Sequence, residues 1–347
     1  MGKRKNIIVS LLVLFGSLSL PLVHANAASP GFNLTTSPSP ILLTTPPGTT
    51  VTSDFRVINN ASQLEHLKVG LMKFRATGVT GRPNLYERGT GDSYFDWVKF
   101  TPSTFDAPPG QWVKVKMTIA VPPTASLGYY YAVTFQRATS TAAEADQSSA
   151  VIGASATLVL LDVKTPNQHP ELQIANFTSD HRIYQYLPAS MTVRVHNNGN
   201  IHLHPGGNIF IKRGSKAVAT LTINPFQGNI LPNSYREFTA DWHDGFPLYQ
   251  DKQVDGKPAL TKDGKPDRSL HWDLTKLTKL RFGKYSAQAL VVYNDGTRDI
   301  PMEATTSFWV IPWTLILIVF VIVLFLAAGV WFIARHLFQT TKYRQRL

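Results

Sequence analysis

A short pattern, Arg-Val-x-Asn-Asn followed much later by Gly-x-Tyr-x-Ala, occurs twice in this chain, between its two long apolar segments. The first copy is Arg56-Val57-Ile58-Asn59-Asn60 with Gly128-Tyr129-Tyr130-Tyr131-Ala132. The second is Arg194-Val195-His196-Asn197-Asn198 with Gly283-Lys284-Tyr285-Ser286-Ala287. Repetition of a strand-like pattern constrains the chain to build one kind of unit twice. The interval between the two parts is about one loop longer in the second copy, so the units share a framework but differ in a connection. Each pair is expected to mark a strand end with its turn and a later strand entering the core.

The strands are legible from side-chain alternation. Along Trp112 to Val121, Val113, Val115, Met117, Ile119 and Val121 point one way and Lys114, Lys116 and Thr118 the other, the period of a half-buried strand. The same period runs through Val51–Val57, Leu67–Leu71 and Tyr129–Phe135, while Thr157–Val163 is more continuously apolar. Further strands are expected at Leu172–Phe177, Ser190–His196, Asn208–Lys212, Val218–Ile223, Tyr235–Trp242, Leu280–Tyr293 and Met302–Trp309, the last two joined at Asn294-Asp295-Gly296. Many short strands with turn signals and no long amphipathic helix define an all-β fold: two tandem immunoglobulin-like β-sandwich domains, followed by a single transmembrane α-helix. The domains fall at residues 28–165 and 171–309, with a proline-bounded linker at 166–170. The polar segment Ala138–Ala150 reads as a loop open to proteolysis. Residues 243–279, with Asp255-Gly256-Lys257-Pro258 echoed by Asp263-Gly264-Lys265-Pro266, form a polar insert.

The ends address the chain. Lys3, Arg4 and Lys5, the apolar run Ile7–Leu20 and the small-x-small site Ala25-Asn26-Ala27 read as a secretory signal peptide over residues 1–27. The uncharged run from about Pro312 to Ala334 is long enough to cross a bilayer, giving a helix at 310–334 and a basic tail at 335–347. Arg335, Lys342, Arg344 and Arg346 after the helix place the tail in the cytoplasm, and Trp309, Trp313 and Trp331 suit the two interfaces. No sortase motif precedes the anchor, so a single-pass membrane protein with an extracellular N-terminal part is expected.

Composition removes several functions. The leader and tail account for seven of the formal +12 charges, and the basic residues between them are scattered in sequence, which disfavours nucleic acid. A mild attraction to anionic wall polymers is compatible with the remainder. With no cysteine, disulfides are excluded, a pattern that fits a bacterial surface better than a eukaryotic secretory one. No hydrolase elbow, zincin helix or phosphate-binding glycine loop occurs, so neither an enzyme nor a cofactor is expected.

Two groups of residues remain as candidate sites. Trp112 on the polar side of its strand, and Trp242, Tyr249 and Trp272 in or beside the insert, offer aromatic faces suited to sugar rings or protein partners; the competing reading has them cover the sandwich ends. His196, His202 and His204 include an i, i+2 pair able to share a face toward a metal. Without a nearby carboxylate or thiolate, incidental surface histidines are the favoured reading, and no metal is assigned.

The run Trp97-Val98-Lys99-Phe100-Thr101-Pro102, then Phe105, Pro108-Pro109-Gly110, the alternating strand ending at Val121-Pro122, and Gly128 to Phe135 resembles the first domain of the WxL-interacting proteins of Gram-positive surfaces. Motif-level similarity spans about residues 40–165, and the order of leader, two Ig-like domains, membrane helix and basic tail extends it to nearly the whole chain. The resemblance implies a non-enzymatic adhesion or scaffolding role, with peptidoglycan contacted by the first domain and host or partner surface proteins by the second. The insert and the histidine-bearing segment depart from that pattern, and no individual binding residue is carried over. Two other roles are compatible with the architecture. One is a tethered assembly chaperone acting by strand addition at an open sheet edge. The other is an accessory subunit of a membrane complex, contacting it through the small patch Ala327-Ala328-Gly329.

Overall fold

The computed structural model describes residues 33–138, 156–254, 256–264 and 266–344, with side chains described up to Arg335. The leader, most of the expected loop at 138–150, Asp255 and Lys265 of the echoed pair, and the side chains of the tail lie outside the described residues. The chain is mostly β, with one long apolar helix at its C-terminal end.

Ten strands come first: β1 (Leu34–Ser37), β2 (Ile41–Thr45), β3 (Thr50–Asn59), β4 (Glu65–Thr77), β5 (Arg82–Tyr86), β6 (Val98–Thr101), β7 (Thr104–Ala107), β8 (Trp112–Ala120), β9 (Leu127–Arg137) and β10 (Thr157–Val163). One sheet has the order β1-β3-β8-β6; the other runs β2-β10-β9-β4-β5, with β7 also on β4. The proline-rich stretch between β1 and β2 moves the chain from the first sheet to the second, where β2 runs parallel to β10. Between the sheets, Phe55, Val57, Leu67, Met117, Ile119, Tyr131, Phe135 and Leu161 are buried as the inward halves of their alternating strands.

Twelve strands follow: β11 (Leu172–Ser179), β12 (Ile183–Tyr184), β13 (Ala189–Asn197), β14 (Gly206–Arg213), β15 (Lys216–Ile223), β16 (Tyr235–Trp242), β17 (Leu248–Asp251), β18 (Gln253–Val254), β19 (Lys257–Pro258), β20 (Arg268–His271), β21 (Gly283–Asn294) and β22 (Asp299–Val310). The sheets β11-β13-β16 and β12-β22-β21-β14-β15 enclose a second core. Its centre is aromatic: Trp242 lies 5.1 Å from Tyr285 between ring centroids, and Tyr285 stacks on Phe308 at 5.9 Å. The insert expected to be a polar loop contains two small antiparallel pairs, β17 with β20 and β18 with β19, the first braced by an Arg268–Asp251 ion pair at 2.8 Å.

The doubled Asn-Asn has one structural meaning in both copies. Asn59 and Asn197 are 0% exposed. Asn59 Nδ2 donates to Gln63 O and Ala107 O, and its Oδ1 accepts from Ala61 N. Asn197 Nδ2 donates to Ile201 O and Ile230 O, and its Oδ1 accepts from Gly199 N. Each side chain thus ties the turn after a long strand to a connection far along the chain, satisfying carbonyls that burial would otherwise leave unpaired.

The Gly-x-Tyr-x-Ala half behaves differently, contrary to the expectation of equivalent copies. Tyr285 and Ala287 face the inner core, whereas Tyr130 and Ala132 face away from theirs, the inward positions on β9 being Tyr131, Val133 and Phe135. The Tyr130 ring folds back over Gly128, where an added Cβ would overlap its hydroxyl. Tyr130, Ala132, Met72, Phe74 and Leu160 form a third apolar cluster that Leu231 joins from the second group of strands. His202 meets the Tyr130 ring edge-on at 5.8 Å, and Glu237 N donates to Val79 O at 2.7 Å. Arg236 closes this contact, its guanidinium lying where a Cβ on Gly81 or on Gly228 would stand.

The helix α1 (Trp313–Arg344) contains a 23-residue stretch, Trp313–Arg335, long and apolar enough to cross a membrane, with a mean hydropathy of 3.2 over its most apolar window.

Candidate functional site

Docking covers the outer face of the β2-β10-β9-β4-β5 sheet, so in this part of the molecule the broad free face belongs to β1-β3-β8-β6. Alternation and register determine what it presents. Arg56 stands opposite Lys114, Ile58 opposite Trp112, Asp54 opposite Lys116, and Lys99 opposite Thr118. Trp112 is 47% exposed, and the Arg56 guanidinium carbon lies 5.5 Å from its ring centroid, a cation–π spacing. Lys114 pairs with Asp54 at 2.8 Å, and that hydrogen bond draws the carboxyl below its ordinary range. Lys116, across from Asp54, shares that one carboxylate electrostatically without a direct ion pair, and Lys99 has no ion pair among the described residues. The face therefore combines one aromatic plane with excess positive charge, an arrangement that can stack on a sugar ring and pair with phosphate or carboxylate groups.

These basic residues, scattered in sequence, are gathered by the fold. Lys114 and Lys116 were visible as the polar half of the Trp112–Val121 alternation. Arg56 and Lys99 were not, because only the pairing of β3 and β6 with β8 brings them there.

The other aromatic candidates separate. Trp242 is 1% exposed, so its expected role as an accessible face is corrected: it ends β16 pointing inward, with Arg281 5.4 Å over its ring. Tyr249 is half-buried, 6.0 Å from Tyr186. Trp272 is exposed, 6.5 Å from Tyr186 and 5.7 Å from Phe246. Tyr249 and Trp272 belong to the insert, at the end of the second group of strands that meets α1, and do not join Trp112.

The histidines have ordinary occupations. His196 stacks on Tyr235 at 4.1 Å, with Arg194 4.5 Å above the same ring. His202 and His204 flank Leu203, whose backbone bridges Ile230, and His202 turns into the contact with Tyr130. Burial, aided by His204, lowers the His202 pKa to about 4, and its Nδ1 has no hydrogen-bond partner. Among the described residues no group of three or more His, Cys, Asp or Glu is placed to hold a metal ion.

No protein-family model and no curated protein matches the chain. Solved structures with distant similarity to the chain include the class 5 fimbriae chaperone CfaA, 14% identical over 80% of this chain and 99% of that one, TM-score 0.35. The chaperone YadV is 11% identical over 79% of this chain and 99% of that one, TM-score 0.34. The E. coli chaperone DraB is 12% identical over 79% of this chain and 100% of that one, TM-score 0.31. Likeness this distant says nothing about what the chain binds.

Proposed function

We propose that this is a non-enzymatic, membrane-anchored surface protein of a Gram-positive bacterium, in which two tandem Ig-like domains act as a binding scaffold. The free face around Trp112 and Arg56 contacts an anionic cell-wall polymer. The observation that carries this reading is the Arg56–Trp112 pair set among Lys99, Lys114 and Lys116 on the sheet face left open by docking. Support also comes from the helix Trp313–Arg335, which suits a single-pass anchor with its basic tail in the cytoplasm, and from the resemblance to the WxL-interacting proteins. In this reading peptidoglycan with its attached anionic polymers is the ligand of the first domain, and surface or host proteins are partners of the second.

The test is sedimentation of the purified ectodomain, residues 28–310, with isolated cell walls. Binding is expected to weaken as salt rises and to fall at least about tenfold in Trp112→Ala, the loss of about 1.4 kcal/mol expected of one aromatic–sugar contact. An ectodomain that ignores walls, or a Trp112→Ala chain that binds as well as the parent, overturns the assignment.

One observation favours a second reading, a tethered chaperone. Among the described residues, strand β2 lies at the edge of its sheet, paired only with β10, and presents an exposed Leu42. Strand addition there predicts an extended peptide co-purifying with the ectodomain and crosslinking through position 42; its absence from material purified from the native host removes this alternative.

A further inference from the structure

The end of the second group of strands that adjoins α1 combines exposed apolar side chains with unneutralised positive charge. The chain leaves β22 at Val310, paired with Gly283, and enters α1 at Trp313. Thr314 Oγ1, in the first helical turn, accepts from Gln185 Nε2 at 2.8 Å and bonds Tyr186 Oη at 2.6 Å. Tyr186 contacts Trp272, so the insert is held beside the foot of the helix.

The next segment, Leu274–Lys279, is of 3-10 type. Lys276 leaves the helical region (φ −100°, ψ 21°), so the segment is two short turns joined at a kink. Leu274 is 72% and Leu277 59% exposed, and Leu280 and Phe282 continue the apolar patch. Leu274 and Leu277 stand in an otherwise polar insert, Leu280 and Phe282 just beyond it, and all four remain exposed among the described residues. Behind them opens a cleft of about 510 Å³ lined by Arg213, Lys216, Lys279 and Arg281. Asp244 pairs with Lys279 at 3.0 Å and with Arg281 at 2.5 Å, and Asp273 pairs with Lys276 at 3.3 Å. Arg213 and Lys216 have no carboxylate partner among the described residues. Both sit at the β14–β15 hairpin, whose register with β21 brings it to the helix end of the sheet.

We infer that this end is a lipid-contacting platform: Leu274, Leu277 and Phe282 enter the headgroup layer of the bilayer that holds α1, and the cationic cleft takes the phosphates of anionic lipids. The inference rests on the reading of Trp313–Arg335 as a membrane span. A polar insert with an apolar ridge flanked by lysines has the composition of an interfacial segment, its apolar side shallowly immersed and its long cationic side chains reaching the phosphates. Its occupant is a lipid surface because three residues separate the paired end of β22 from the second residue of the helix, which leaves this face against whatever surrounds the helix.

The chain contains no cysteine, so single spin labels can be placed at will. The full chain is reconstituted in nanodiscs of phosphatidylglycerol and phosphatidylcholine with labels at Leu274→Cys, Leu277→Cys, Phe226→Cys as an exposed control at the far end, and Val321→Cys within the span. The ratio of collisions with oxygen to collisions with a water-soluble nickel chelate is expected to be severalfold higher at 274 and 277 than at 226, and to fall when phosphatidylglycerol is omitted. A ratio at 274 and 277 equal to that at 226, with 321 in lipid, overturns the platform alone; a water-exposed 321 overturns the span beneath it. Dipolar broadening between labels at 277 would show a second copy covering the patch, and equal ratios in both lipids would remove the anionic headgroup from the cleft. Either result overturns the inference.

Discussion

Asn59 and Asn197 each satisfy three backbone groups from a position closed to water, so their removal leaves carbonyls and an N–H without partners. Asn197→Ala is expected to lower stability by about 2–4 kcal/mol, read as a lower urea midpoint at unchanged slope, and Asn59→Ala by a similar amount. Asp at either position should fare no better, since its oxygens repel the carbonyls that the amide serves. His202 supplies a pH response. Its folded pKa, about 4, lies below the ordinary value of 6.5, so protonation favours unfolding. Its contribution is complete above pH 6.5 and is lost as pH falls toward 4, by at most about 3 kcal/mol. Asp162, raised by burial, acts in the opposite direction near the acid end of that window. His202→Gln should flatten the fall in thermal midpoint between pH 7 and 4.5; an unchanged profile would assign it to other groups. The Asn-Asn pairs were legible in the sequence as a repeat. Their partners were not, because Ala107 and Ile230 are brought near only by the folded chain.

Strands with sustained alternation, above all β8 and β16, lie where their sequence places them, since one buried face requires apolar residues at every second position, and the continuously apolar β10 does so as a strand buried on both faces. Short elements carry too few residues for a period to emerge. Strands β1, β2 and β5 to β7 sit among prolines and glycines, and β17 to β20 among charges that hold them by cross-strand pairing rather than burial. The displaced Gly-x-Tyr-x-Ala pattern has a related cause. In β9 both faces are buried, one in the core and one under the docked neighbour, so Tyr fits either side and its place in a motif does not say which. Trp242 stands at the border of the insert, and its sequence position does not distinguish an exposed face from the inward end of β16, which is where it lies. On β8, Trp112 is exposed and supports little of the core, so Trp112→Ala should change the thermal midpoint negligibly while weakening the proposed wall binding. A comparable loss of both would make Trp112 a packing residue.

At the scale of the molecule, the two sets of strands are joined by more than a linker. The third apolar cluster, the Glu237–Val79 hydrogen bond and Arg236 between Gly81 and Gly228 dock one against the other. Arg236 is desolvated there, which lowers its pKa, and donates to Asn229 O at 2.7 Å. Arg236→Ala is expected to loosen this contact without unfolding either half: the maximum dimension from small-angle scattering should increase while far-ultraviolet circular dichroism stays the same. An unchanged dimension would place the docking energy in the apolar cluster instead. No sequence period announces such a contact, because its residues are dispersed from 72 to 237 and each has an adequate reading as ordinary surface or core.

The junction between β22 and α1 has a mechanical meaning. Val310 is still paired with Gly283 when the chain turns into the helix, and β21 and β22 stay in register over all twelve residues of each strand. With α1 as the proposed anchor, a pull transmitted from it reaches the strands first through β22. It loads that ladder in shear, so its bonds share the tension instead of parting one after another from the end. In the proposed reading, a protein held between a membrane and a wall that move against each other would take its load first on this hairpin, whose Phe308 and Val310 pass it directly to the second core.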